Sequence, residues 1–254
     1  MNASSTDTLA GKVMLITGGA RRVGAAITRL LHARGASVMI HHRTSARDAQ
    51  ALVKALNAQR KDSAACVKAN LLDESAPRGL VQACLNTFGR LDGLVNNASS
   101  FYATRVGELT ESAWLDLIGT NVKAPLFLAQ AAAAELKKRK GAIVNIVDIH
   151  AEIPLEDYVI YTVAKGGLLA ATRSLARELA PRVRVNGVSP GPILWPEDHQ
   201  WQSASTRKAI VERTLLKRTG TPQDIAGAVA YLMCDAPYVT GQVLAVDGGR
   251  NIAL

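Results

Sequence analysis

Val13-Met-Leu-Ile-Thr17-Gly-Gly-Ala-Arg-Arg-Val-Gly24 is the stretch that decides the fold. Its first residues are apolar or β-branched without interruption, the pattern of a strand buried on both faces. Glycines follow at once, and Val23 to Ala33 then reads as a helix closed by Gly35. Gly18 permits a tight turn, and Gly24, inside the helix, allows close packing against the sheet or a ligand. The helix start offers unpaired N–H groups and partial positive charge to a phosphate. A glycine-rich turn alone can be an ordinary strand–helix connection. Its position in the first βαβ unit points instead to a dinucleotide.

The same alternation continues along the chain. Strands are expected at Ser37 to His41, Ala64 to Lys68, Leu94 to Asn96, Ala142 to Val147, Val183 to Val188 and Val243 to Val246. Helices are expected at Arg47 to Gln59, Ser75 to Phe88, Ile160 to Leu179 and Pro222 to Met233, with one long helical stretch from Glu111 to Lys138 that must accommodate Pro125. Apolar strands separated by helices imply an α/β fold: a Rossmann-type, doubly wound parallel sheet with helices on both faces. Residues 9–254 read as one domain, and Met1 to Thr8 as a floppy leader. From Gly191 to about Ser205 the rhythm breaks. That segment holds Pro192, Trp195, Pro196, His199 and Trp201. A long loop after a strand's carboxyl end is where such a fold places its ligand crevice, so residues 191–216 are expected to form a substrate lid.

Of the 254 residues, 48% are hydrophobic and 20% charged, a globular balance that argues against disorder. Three cysteines (Cys66, Cys84, Cys234), widely spaced and outside any CxxC pair, argue against a disulfide scaffold and a structural zinc, and suit a reducing, cytoplasmic setting. No apolar run reaches transmembrane length. The net charge of +9 favours an anionic partner, either nucleic acid or a phosphorylated cofactor. The run Lys137-Lys138-Arg139-Lys140 falls where a helix ends and cations complement its dipole, so a solvated helix end is preferred to a nucleic-acid patch.

The second strand closes on His41-His42-Arg43-Thr44-Ser45. An NAD site wants a carboxylate here for the ribose 2′-hydroxyl, and none occurs before Asp48. Arg43, with Thr44 and Ser45 as donors and Arg21 nearby, suits a 2′-phosphate, hence NADPH. Farther on, Tyr161 and Lys165 lie four residues apart, one turn on one helix face. A neighbouring ammonium favours the phenolate, so Lys165 is expected to lower the Tyr161 pKa and make it a usable proton donor and acceptor.

Together with Asn96-Asn97-Ala98, Asn121, Pro190-Gly191 and Val246-Asp247-Gly248-Gly249, these motifs resemble the short-chain dehydrogenase/reductase family from about Gly11 to Gly249. The resemblance implies a nicotinamide cofactor and Tyr161, Lys165 and Asn121 as catalytic residues. It assigns the cofactor to Thr17, Gly18, Arg21, Arg22, Val23, Arg43, Thr44, Ser45, Asn70, Leu71, Asn97, Ala98, Ser99, Tyr161, Lys165, Pro190, Gly191 and Ile193. It also implies a homotetramer built on the Glu111 and Ile160 helices, with small side chains at Ala129 to Ala134.

Three departures narrow the reading. Asp148 stands where most of the family has a serine that donates to a substrate carbonyl, which an ionised carboxylate cannot do. Asn97-Ala98-Ser99-Ser100-Phe101 replaces the usual NAG continuation, and Arg22 replaces a glycine. These changes resemble the pteridine reductase branch, which implies a pterin substrate held by Arg22, Ser99, Phe101, Asp148, Tyr161 and Trp195. A flat, nitrogen-rich ring suits that set. Phe101 offers a stacking face, Asp148 a carboxyl beside Tyr161, and Arg22 a bridge between pyrophosphate and ring. The expected reaction is hydride transfer from NADPH to a dihydropterin, extending to oxidised pterins or dihydrofolate. The rivals are a 3-oxoacyl-thioester reductase of the same family and, from another class, a non-catalytic nucleotide sensor or nucleic-acid binder. Neither nucleic acid nor membrane is an expected partner. Asn70, where the family has aspartate, keeps an acceptor for the adenine, and Arg250 reads as a solvent-facing residue of the tail.

Overall fold

Seven parallel strands form one sheet in the order β3-β2-β1-β4-β5-β6-β7. The computed structural model describes residues 9–196, 201 and 203–253. The leader and His199 therefore lie outside the described residues.

The chain starts at β1 (Val13–Ile16), passes through α1 (Arg22–Ala33) to β2 (Ser37–His42), and through α2 (Ala46–Gln59) to the edge strand β3 (Ala64–Lys68). It returns by α3 (Ala76–Phe88) to β4 (Gly93–Asn96) on the other side of β1. The second half runs α4 (Glu111–Ile118), α5 (Ala124–Arg139), β5 (Ala142–Ile146), α6 (Val159–Leu179), β6 (Arg184–Pro190), α7 (Ala204–Glu212), α8 (Pro222–Ala230) and β7 (Val243–Val246). The winding direction reverses between β1 and β4, and a crevice opens there at the strands' carboxyl ends.

Strand periodicity splits the core into two layers. Met14 and Ile16 of β1 join Ile27 and Leu31 of α1, Leu52 and Leu56 of α2, and Val229 of α8. Leu15, pointing the other way, joins Leu80 of α3 and Leu128 and Leu136 of α5. Most of these side chains are fully buried, each contributing on the order of 1.5–3 kcal/mol by leaving water. The sheet is thus fixed from both faces, and its carboxyl edge becomes a rigid base for the loops above.

The stretch from Glu111 is helical through to Arg139, as expected, with a change of winding in its middle. A π turn, Gly119–Lys123, separates α4 from α5, and Pro125 falls in the first turn of α5, where its missing N–H costs nothing. Of the small residues of α5, Ala129 and Ala132 are buried in this chain's own core, where they let α5 lie close on the sheet. Past β6 the described backbone is irregular as far as Pro196, and a helix starts at Ala204, capped by Ser203. No described helix is long and apolar enough to cross a membrane.

Candidate active site

The glycine turn makes the first wall. Gly18 has φ +60, and a Cβ there would press on Ala98 at 3.1 Å. A Cβ on Gly24 would lie 2.1 Å from the Gly18 carbonyl oxygen, so only glycine lets the helix come this close to its own turn. Helix α1 begins without a side-chain cap and without an acid in its first turn, which leaves its N–H groups and dipole for a ligand. Arg22, at φ +51, takes the left-handed conformation a glycine would adopt freely, and its Nη2 donates to the carbonyls of Trp195 at 3.1 Å and Leu194 at 3.4 Å. The turn is thereby tied to the segment after β6.

His41 locks the turn from beneath. Its Nδ1 accepts the Gly18 N–H at 3.2 Å, so the ring proton sits on Nε2, which donates to Ala69 O at 3.1 Å. Burial pushes this imidazole down to about 4. Thr17 Oγ1 accepts the N–H groups of Asn97 and Ala98 at 2.9 and 3.0 Å, pinning the end of β4 to the end of β1. Thr17 acts from behind the wall and does not line the crevice. Arg43 does, exposed at its mouth, with Arg21 close to Asp48 at 3.8 Å. Thr44 and Ser45 lie outside the lining. Asn70 turns its amide on its own loop, accepting from Leu72 N at 3.3 Å and donating to Asp73 at 3.1 Å, while it and Leu71 border the crevice.

The other end is assembled from side chains far apart in sequence. Asp148, just past β5, accepts the Tyr161 hydroxyl on Oδ2 at 2.7 Å and the His150 N–H on Oδ1 at 2.9 Å. Tyr161 and Lys165 lie a turn apart on α6, both buried. Lys165 Nζ donates to Ile146 O at 3.0 Å and sits 5.6 Å from the centre of the Tyr161 ring. Their electrostatics correct the expected direction. Burial first, then the Asp148 carboxylate, raises the Tyr161 pKa above its ordinary value, so the phenol keeps its proton. Burial brings Lys165 down to about 8.

Asn121 lies in the π turn. Its amide donates to Ser100 O and Leu117 O at 3.0 and 2.9 Å and accepts from Ser99 Oγ at 2.6 Å. It supports Ser99, which lines the crevice, and does not line it itself. Phe101 stacks on Tyr158 (centroids 4.6 Å, 18° between planes) and meets the Tyr161 ring edge-on at 4.7 Å. Trp201 Nε1 donates to the Tyr158 hydroxyl at 3.1 Å.

One cavity of about 730 Å³ runs between these ends. Val23, Asn97, Ala98, Pro190, Gly191, Ile193 and Trp195 border it, as do Gly18, Arg22, Ser99, Phe101, Asp148, Tyr161 and Lys165. Four residues expected in the site (Thr17, Thr44, Ser45 and Asn121) do not. Sequence reasoning missed His41 and His150 in the lining, placed Trp201 in the lid without giving it a contact, and placed Arg250 in solvent, whereas Arg250 is on the cavity wall. Their one advance signal was residue type: titratable or aromatic side chains close to the motifs or in the lid.

A family model described as Enoyl-(Acyl carrier protein) reductase matches residues 18–251. Pteridine reductase 1 of Leishmania tarentolae is 39% identical, covering 94% of this chain and 96% of the relative. The 3-oxoacyl-(acyl-carrier-protein) reductase of Staphylococcus aureus is 34% identical, covering 94% and 97%. Among solved structures, a blue fluorescent protein from a metagenomic library, in complex with NADPH, superposes with a TM-score of 0.89 at 36% identity, covering 96% of this chain and 99% of that one. The parallel sheet, the glycine turn, the Tyr161–Lys165 pair and these relatives agree: the chain belongs to the short-chain dehydrogenase/reductase family of oxidoreductases.

Proposed function

We propose that this protein is an NADPH-dependent pteridine reductase that converts dihydropterins to tetrahydropterins. The observation that carries the reading is the 2.7 Å contact between the Asp148 carboxylate and the Tyr161 hydroxyl, where a carbonyl reductase needs a neutral donor for its substrate oxygen. The likeness to a pteridine reductase and to an NADPH complex supports it.

The crevice fits the cofactor. The cradle between Gly18 and Gly24 is closed to any side chain, and α1 starts uncapped. The α1 N-terminus and Arg22 take the pyrophosphate, Arg43 and Arg21 the 2′-phosphate, Asn70 and Leu71 the adenine, and Lys165 the nicotinamide ribose. When bound, the reduced nicotinamide supplies the hydride. The chain manages the accompanying proton. Tyr161 and Asp148 hold one between two oxygens, and that pair delivers it to the ring nitrogen being reduced. The Lys165 ammonium offsets the negative charge left behind. Phe101, backed by Tyr158, holds the flat ring, and Ser99, positioned by Asn121, adds a short polar contact. The segment carrying Trp195 covers the ring, anchored through Arg22.

The test compares NADPH consumption with dihydrobiopterin, dihydromonapterin and an acetoacetyl thioester for the wild type, Asp148→Asn and Asp148→Ser. We expect the wild type to turn over pterins and both variants to lose at least about a hundredfold, because each removes the acid–base group. A wild type that reduces only the thioester, at a rate Asp148→Asn leaves unchanged, would overturn the pterin reading in favour of the 3-oxoacyl-thioester reductase.

A further inference from the structure

The C-terminal turn Arg250–Ile252 sets Arg250 on the wall of the cavity that also holds Asp148. A guanidinium is always charged and carries five N–H donors in a planar fork. Among the described residues, the Arg250 guanidinium has a single hydrogen bond, Nη1 to the Ile210 carbonyl at 3.3 Å. The nearby acids are engaged elsewhere. Asp247 uses its two oxygens on the N–H groups of Gly249 and Asn251, at 2.9 and 2.6 Å. Asp148 uses both of its own on Tyr161 and His150. Arg213, exposed, adds a second positive charge that Arg250 feels. Burial, and after it Arg213, lowers the Arg250 pKa, while Asp148 and Asp247 offset this in part. Half-buried, Arg250 therefore borders the cavity with most of its guanidinium donors unused.

We propose that Arg250 is a specificity-determining residue that binds a negatively charged group on the substrate, so that the preferred substrate is a dihydropterin bearing an anion beyond its reducible ring. This rests on the pterin reading above and names the substrate class within it. The anion can be a carboxylate or a phosphate, since both match the guanidinium fork.

Three dihydropterins separate the possibilities: dihydrobiopterin with a neutral side chain, dihydrofolate with carboxylates, and dihydroneopterin phosphate. kcat/KM is measured for each with the wild type, Arg250→Gln and Arg250→Lys. We expect the wild type to prefer at least one anionic substrate, and the favoured one identifies the anion. Arg250→Gln should lower kcat/KM for that substrate about tenfold more than for dihydrobiopterin. Arg250→Lys, which keeps the charge without the fork, should fall between. The preference should shrink as salt is raised, as screening requires. Turnover of all three without charge preference, or an equal loss on all three in Arg250→Gln, overturns the Arg250 proposal and leaves the pterin reading standing. Turnover of none by the wild type overturns the pterin reading, and this proposal with it.

Discussion

The two ends of the cavity are built on different principles. The cofactor end comes mostly from two short, local runs, Thr17 to Gly24 and His41 to Arg43, and its shape is held by main-chain geometry: positive φ at Gly18, a 2.1 Å approach that excludes any Cβ at Gly24, and N–H groups bonded to Thr17 and His41. The substrate end gathers Phe101, Asp148, Tyr161 and Trp201, held by contacts between side chains, with Arg250 on the wall beside them. Where main-chain form makes the site, a short motif suffices to announce it. Where side chains make it, chemistry can change one residue at a time without disturbing the sheet.

That division can be broken by experiment. The largest effect is expected at the substrate end. Tyr161→Phe keeps the ring and removes the proton-bearing hydroxyl, so turnover should fall at least about a hundredfold while NADPH affinity holds. Cofactor affinity falling in step with turnover would show that the two ends are not separable.

Lys165 lies between the ends, and its charge should be visible in stability. Burial holds its ammonium at about 8, against 10.5 for the exposed group. Below pH 8 both folded and unfolded chains carry the charge, and the folded chain bears the full cost of burying it. Between about pH 8 and 10.5 the unfolded chain binds more protons, so raising the pH favours the folded state, by up to about 3 kcal/mol in all. Unfolding free energies of the cofactor-free wild type and Lys165→Met, measured at pH 7.5 and pH 10, should show the wild type gaining on the variant. A gap that does not change with pH would mean that the ammonium is well solvated.

The smallest effect belongs to the rim of the cofactor end. Arg43 is exposed, so its contact with a 2′-phosphate is partly screened. Arg43→Ala should raise KM for NADPH about tenfold relative to NADH. Equal changes for both cofactors would remove Arg43 from the site.

Most of the sheet was legible in the sequence because buried parallel strands read as short apolar runs, and β3 and β7 match expectation end to end. The π turn between α4 and α5 was not, since no residue type marks where a helix takes on an extra residue per turn. Helix α7 also lacked a signal: none of its residues is buried, so no apolar stripe marks it. Within the site, the Asp148–Tyr161 contact was foreseen from residue types at matching places. The direction of the Tyr161 pKa was not, because the lysine's presence is written in the chain while the depth of burial is a property of the whole fold. The contact between Tyr158 and Trp201 escaped for a similar reason, since the two meet across 43 positions of sequence.

The His41 ring has a consequence for what could ever replace it. Its position demands an acceptor toward Gly18 and a donor toward Ala69 from one flat, uncharged group. A neutral imidazole does this in a single tautomer, and a side-chain amide likewise combines an acceptor with a donor without charge. Lysine and arginine offer only donors, and an ionised aspartate or glutamate only acceptors. The pocket floor therefore filters substitutions by hydrogen-bond polarity before size matters, and that filter holds across the pH range in which the ring stays neutral, down to about 4.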